Sequence, residues 1–231
     1  MIKWQDDKDV LGRMFVLSGS PLFNNLRNAI VYHDANFSAA LSWGQLKSKR
    51  WLFSELEKIN PVLGTVYLCA GWYGTLAAML FNSKLDIQKI RSFDIDESCM
   101  PIADAVNKSQ MIDEWKFKSI TQDILDINYE KHTWAVWSVK NDRMSTPISD
   151  IPNTIINTSC EHIFDFDEWF DKIPKGKLVI LQSNNYFELP EHVNCVKNLD
   201  KFKEKCPMET ILYEGVLELE KYNRFMVIGI I

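Results

Sequence analysis

From about residue 61 onward, apolar runs of strand length alternate with helix-patterned segments, and this alternation limits the possible folds more than any other feature. "TVYLCA" (65–70), "KIRSFDI" (89–95), "KFKSIT" (116–121), "TIINTS" (154–159) and "KLVILQS" (177–183) read as strands. "TLAAMLFNS" (75–83) and "CMPIADAVNKS" (99–109) read as helices, the second with Pro101 in its first turn, where its missing amide costs nothing. "LDKFKEKC" (199–206) reads as a further helix, and "ETILYEGVLELE" (209–220) and "RFMVIGII" (224–231) as two closing strands able to pair antiparallel. Strands alternating with helices imply an α/β fold with a largely parallel sheet. Before Pro61 and Gly64 punctuate the chain, "SWGQLKSKRWLFSELEKI" has helical spacing in Leu52, Leu56 and Ile59. The division expected is a helical N-terminal extension or lid over 1–60 and an α/β domain over 61–231. The stretch 128–153 is the most irregular and gives Trp134 and Trp137 no firm place.

The 231 residues are 46% hydrophobic, with eight Trp and thirteen Phe, which argues for one substantial core and against disorder. A net charge of -5 gives no overall basic signature for nucleic acid, although a local patch is not excluded by it. The five cysteines form no CxxC pair, so neither a zinc ribbon nor a disulfide framework is expected, and no metal ligand is assigned. The charged start "MIKWQDDKDV" lacks an apolar signal core, and no apolar run is long enough to span a bilayer. These features are those expected of a soluble, cytoplasmic protein with no membrane partner.

In an open parallel sheet, ligands bind beyond the carboxyl ends of the strands. The turn after the first core strand is Ala70-Gly71-Trp72-Tyr73-Gly74, whose glycines permit a sharp bend and close approach to a ligand. The next strand ends in "FDID", with Asp94 twenty residues after Gly74. A carboxylate at about that spacing can accept both hydroxyls of a ribose. The third strand is followed by "TQDILDI", which puts Asp123 where an adenine amino group could donate to it and Ile124 where it could pack on the ring. Taken singly, the turn, the capping acid and the loop acid each have a structural reading. Their order, each at a strand end, favours a nucleoside cofactor.

In "VYLCAGWYGTLAAML", "IRSFDIDES", "ITQDILDI", "IINTSCEHI" and "IPKGKLVILQSNN", the chain resembles the class I S-adenosylmethionine-dependent methyltransferases over residues 62–190. The resemblance implies a Rossmann-like methyltransferase fold: a seven-stranded, mostly parallel sheet with helices on both faces and an antiparallel C-terminal strand. It implies S-adenosyl-L-methionine as cofactor, held by Cys69, Ala70, Gly71, Trp72 and Gly74 at its methionine part, Asp94 and Ile95 at the ribose, and Asp123 and Ile124 at the adenine. The pattern departs from the family's first motif: Leu68 stands where an acid is usual, and Ala70 and Trp72 replace two small residues. Trp72 would either cover the cofactor or obstruct it.

By the same resemblance, the end of the fourth strand faces the transferable methyl, and Asn157, Glu161 and His162 are the catalytic candidates. His162 suits a general base because its unperturbed pKa lies near neutrality, with Glu161 to orient it or to meet the cofactor. Cys160 is better read as a buried, inert thiol than as a nucleophile, since no Pro-Cys pair precedes it. Asn184, Asn185 and Tyr186 would contact the substrate, with His192 nearby. Lys47, Lys49 and Arg50 beside Trp51 fit a solvated helix face better than a phosphate grip, with Gln45 and Lys49 as alternative contacts to the site. The expected activity is methyl transfer to a small-molecule or nucleic-acid acceptor. The rivals are a non-catalytic cofactor-binding module and a different reaction on the same cofactor. Acceptor and oligomeric state are not legible.

Overall fold

A computed structural model describes residues 4–112, 115–138 and 142–231, so Met1–Lys3 and residues 139–141 of the irregular stretch lie outside the described residues. Five strands run parallel: β1 (Val62–Cys69), β2 (Asp86–Asp94), β3 (Phe117–Thr121), β8 (Thr154–Asn157) and β9 (Leu178–Asn184). The edge strand β10 (Thr210–Glu218) pairs antiparallel with β11 (Asn223–Ile230), which also pairs antiparallel with β9. The seven strands are ordered β10-β11-β9-β8-β1-β2-β3. From β1 the chain first builds outward through β2 and β3, and then restarts on the other side of β1 with β8. The β1/β8 junction is therefore the topological switch point, where ligands of such sheets collect.

The central strands are apolar on both faces because both faces are covered. Every residue of β9 is buried, and so is every residue of β1 after Val62. One face packs under α3 (Trp43–Ile59), with Leu52 and Leu56 fully buried against Leu63, Val66, Ile180 and Ile228. The other carries α6 (Phe166–Asp171) and α7 (Leu199–Lys205), whose Phe166, Trp169 and Phe202 pack on Tyr67, Val179 and Val227. α4 (Thr75–Phe81) lies beside β2 and α5 (Cys99–Val106) beside β3, the two helices that the sequence pattern predicts.

Two N-terminal helices, α1 (Trp4–Ser18) and α2 (Pro21–His33), have no strong signal in the sequence. α2 packs on α5 through Leu22, Leu26 and Ala29, against Ile102 and Val106. The irregular stretch holds two short antiparallel ladders, β4 (His132–Trp134) with β7 (Ile148–Asp150) and β5 (Trp137–Ser138) with β6 (Arg143–Met144). Trp134 is buried there, stacked on Trp115 at 6.1 Å. No helix among the described residues is long and apolar enough to cross a membrane.

Candidate active site at the strand ends

The carboxyl ends of the parallel strands place the candidate residues in one row. Across the sheet the order is Asp123 after β3, Asp94 on β2, the glycine turn after β1, Asn157–His162 after β8, Asn184 on β9, and Arg224 opposite Asn184 on β11. Residues far apart in the chain thus converge on the switch point.

The turn after β1 is shaped by backbone. Ala70 (φ 52°), Trp72 (φ 48°) and Gly74 (φ 65°) are all left-handed, so the turn reverses within five residues, Ala70 to Gly74. Two non-glycine residues in that region store roughly 1–2 kcal/mol each, strain of the kind that marks a functional turn. Compensation comes from Asp94, whose Oδ2 accepts the Trp72 amide at 2.7 Å, and from the Gly71 amide donating to Phe93 O at 3.0 Å. Gly71 also admits close approach: a Cβ there would lie 2.0 Å from Ser92 Oγ. Burial pushes the Asp94 carboxyl up, against the downward pull of the Asp96 and Trp72 amides.

The aromatic side chains of Trp72 and Tyr73 lie against the N-terminal region. Their rings meet at a tilt with centroids 5.0 Å apart, Tyr73 meets Phe37 edge-on at 5.7 Å, and both pack against the same buried cluster, around Ala29 and Phe37, as Leu22, Leu26 and Ile30 of α2. The bulk at the tip of the turn docks the N-terminal helices. Ile95, next to Asp94, is 72% exposed beyond the strand end, an apolar surface available to a ring. Asp123 Oδ1 caps the following 3-10 turn through Leu125 N at 2.9 Å, and Ile124 is buried beneath it.

The ends of β8 and β9 are knit by side chains. Glu161 is 2% exposed, and its Oε1 accepts from Asn184 Nδ2 at 2.7 Å and faces Arg224 Nη2 at 3.4 Å. Its Oε2 has no partner among the described residues, and the same holds for Arg224 Nε and Asn157 Nδ2. Asn157 is wholly buried, with Oδ1 accepting the Ser159 amide at 2.8 Å, so it shapes the turn that carries Glu161. Asn184 is likewise committed: Oδ1 accepts from Tyr186 N at 2.9 Å and from the Cys195 thiol at 3.2 Å. Asn185 ties β9 to β11 by accepting from Asn223 N at 2.7 Å. Cys160 is fully buried, and burial pushes its thiol well above the ordinary range, which leaves no poised thiolate.

His162 is exposed, and its Nδ1 contacts Glu191 O at 3.1 Å. His192 Nδ1 contacts Tyr186 O at 2.8 Å, and the two imidazoles meet edge-on with centroids 4.7 Å apart. Tyr186 stacks on Tyr222 at 5.1 Å, extending the aromatic surface. His192 enters the site more firmly than its position in "ELPEHVN" indicates, because only the fold brings residues 184–194 back over Glu161.

The basic segment on α3 divides. Lys47 and Arg50 are solvated, whereas Lys49 is only 6% exposed, with Nζ donating to Gln45 Oε1 at 2.7 Å. Burial first, and then the Arg224 charge, lower the Lys49 ammonium to about 8. Arg224 carries no sequence signal of a site because its apolar strand reads as structural, Asn194 carries none in its loop, and Lys49 is signalled only as an alternative contact. Two surface cavities, of about 580 and 920 Å³, lie elsewhere, beside α7 and between α1 and α2.

No protein-family model and no curated protein matches the sequence. The fold does match solved structures. Magnesium protoporphyrin IX methyltransferase from Synechocystis PCC 6803, solved with bound S-adenosylmethionine, aligns over 97% of this chain and 96% of its own, with a TM-score of 0.54 and 14% identity. The N-methyltransferase NodS from Bradyrhizobium japonicum WM9, solved with S-adenosylhomocysteine, aligns over 91% of this chain and 98% of its own, with a TM-score of 0.57 and 8% identity. At these identities the likeness establishes architecture: the chain has the Rossmann-like methyltransferase fold.

Proposed function

We propose that the protein is an S-adenosyl-L-methionine-dependent methyltransferase of the cytoplasm, acting on a small-molecule or nucleic-acid acceptor. The observation that carries this reading is the coupling of Asp94 to the strained glycine turn at the switch point. That hydrogen bond occupies one lone pair of Oδ2, and Asp96 N takes one of Oδ1 at 3.1 Å. A carboxylate offers about four lone-pair sites, so acceptor capacity remains for ribose hydroxyls. Exposed Ile95, and Oδ2 of Asp123, which has no hydrogen-bond partner among the described residues, suit the adenine side. Cys69, Ala70, Gly71, Trp72 and Gly74 supply the backbone cradle at the methionine end, where the Cβ that Gly71 lacks would otherwise intrude.

When bound, the cofactor supplies an electrophilic methyl on a sulfonium. What the chain contributes is largely positioning. Asn157 and Asn184 act as positioning residues for Glu161, while Tyr186 and Asn185 flank the acceptor. His162, with Nδ1 held by a carbonyl, presents Nε2 as the proton acceptor. α2, docked beside Trp72 and Tyr73, and α1, packed on α2, form the lid beside the turn.

Isothermal titration with S-adenosylmethionine and S-adenosylhomocysteine tests the reading, and absence of binding of either at millimolar concentration refutes it. Asp94→Ala is expected to weaken binding at least tenfold, and unchanged affinity would remove the ribose assignment. Trp72, in place of a small residue, motivates the rival of a non-catalytic module, which predicts binding with no methyl turnover on any fraction of a cell extract. Mass spectrometry of the products separates methyl transfer from other chemistry on the same cofactor.

A further inference from the structure

The sequence assigns no metal, yet the fold assembles a ligand set. Glu161, His162 and His192 each offer one ligating atom, and these atoms lie within 4.8 Å of one another. Ligands about 2.0–2.2 Å from a tetrahedral ion lie roughly 3.4 Å apart, so about an ångström of side-chain movement closes the set. Both imidazoles are prepared for it. A backbone carbonyl only accepts, so the contacts to Glu191 O and Tyr186 O place the proton on Nδ1 of each ring. That leaves each Nε2 with its lone pair, in the tautomer fixed by a second partner that metal-bound histidines usually show.

Glu161 gives an independent indication. A carboxylate 2% exposed with an oxygen lacking any partner among the described residues is costly unless something completes it. Oε1 is taken up by Asn184 and faces Arg224, so the positive charge of Arg224 sits on one oxygen and Oε2 remains for a cation.

We infer that Glu161, His162 and His192 form a binding site for a divalent first-row transition ion such as Zn²⁺. Two imidazoles and one carboxylate suit such an ion better than Mg²⁺ or Ca²⁺, which favour oxygen ligands. Three protein ligands leave a coordination position open. If the methyltransferase reading holds, that position takes the acceptor: an oxygen nucleophile, a hydroxyl whose pKa the ion lowers and whose proton passes to water, since His162 Nε2 then ligates the ion and replaces its role as proton acceptor with that of a ligand. The ion site itself does not depend on that reading.

The test uses the untagged full chain, stripped with chelator and titrated with Co²⁺ followed by visible absorption. One equivalent is expected to bind, with d–d bands, and excess Zn²⁺ is expected to displace it. His162→Ala, a surface change expected to fold, and Glu161→Gln should each weaken binding at least tenfold. The proposal is overturned by no saturable binding below millimolar Co²⁺, or by undiminished binding in both variants. S-adenosylhomocysteine titrated into the same stripped protein reports on the cofactor reading separately, because neither readout requires the other.

Discussion

Two buried arginine–carboxylate pairs span this sheet, and they are built differently. In the first, Arg91 Nε donates to Asp150 Oδ2 at 2.7 Å and its Nη1 to Trp115 O at 2.9 Å. Trp134 Nε1 donates to the same carboxylate at 3.0 Å, Lys89 stands 3.6 Å away, and the guanidinium lies 5.0 Å over the Trp134 ring. Burial alone would push the Asp150 carboxyl up, but Arg91, Trp134 and Lys89 outweigh it and hold it below its ordinary value. In the second, Arg224 stands 3.4 Å from Glu161, each partner keeps an unused atom, and a second cation, Lys49, is buried alongside. Buried charges that only hold a fold have their valences filled. The first pair meets that standard and knits β2 to the β4/β7 ladder. The second does not, and it lies at the end of the strands where a ligand is expected, which is where such departures concentrate.

Breaking the satisfied pair should have the largest effect. Asp150→Ala leaves Arg91 buried without its counter-charge and is expected to cost roughly 3–5 kcal/mol. In a chain of this size that lowers the midpoint of thermal unfolding by about 10 °C. Denaturant titration measures it, and a loss under 1 kcal/mol would erase the contrast between the pairs.

A gain in stability is expected at the other pair. The Lys49 ammonium falls from 10.5 to about 8 on folding, so between those values the unfolded chain binds more protons than the folded one. Stability then rises with pH across that window, and the full penalty is present below pH 8. Lys49→Met removes the penalty, at the loss of the Gln45 hydrogen bond, and should stabilise the protein by about 2 kcal/mol at pH 7. The gain should vanish near pH 10.5. A variant equally stabilised at both pH values would show that packing, not charge, is responsible.

The first pair and the turn after β1 differ from the second pair in how much of each the sequence displays. Asp94 and the glycine turn are legible because spacing from one strand end to the next encodes them locally. The alternation of strands and helices likewise fixes five parallel strands and the closing antiparallel pair to within a few residues. Lys49 is legible only as an alternative contact, because a lysine in "GQLKSKRW" looks first like one of three solvated charges; only the docking of α3 on the sheet selects the inward one. Arg224 reads as the flank of an apolar strand, and becomes a site residue through its register opposite Asn184. α2 escapes notice because the residues that justify it, Trp72 and Tyr73, are some fifty positions away and look like turn residues. Tertiary contacts, rather than local pattern, decide all three.

The smallest stability effect, and the most discriminating, is expected from Glu161→Gln. The amide oxygen can still accept from Asn184 Nδ2, and the new amide group replaces an oxygen that has no partner among the described residues. What is lost is the attraction to Arg224 across 3.4 Å, longer than a good charge-assisted hydrogen bond. Arg224 keeps its bond to Thr158 O, so the guanidinium is not left bare. The net cost should be about 1 kcal/mol, well below that of Asp150→Asn, which strips the counter-charge from Arg91 at 2.7 Å and places an amide group in the Oδ1 position beside Lys89. Measured side by side by denaturant titration, the two isosteric changes separate a carboxylate held for the fold from one held for a ligand. Equal losses would make Glu161 a second structural anchor, and its open oxygen would lose its meaning as a ligand atom.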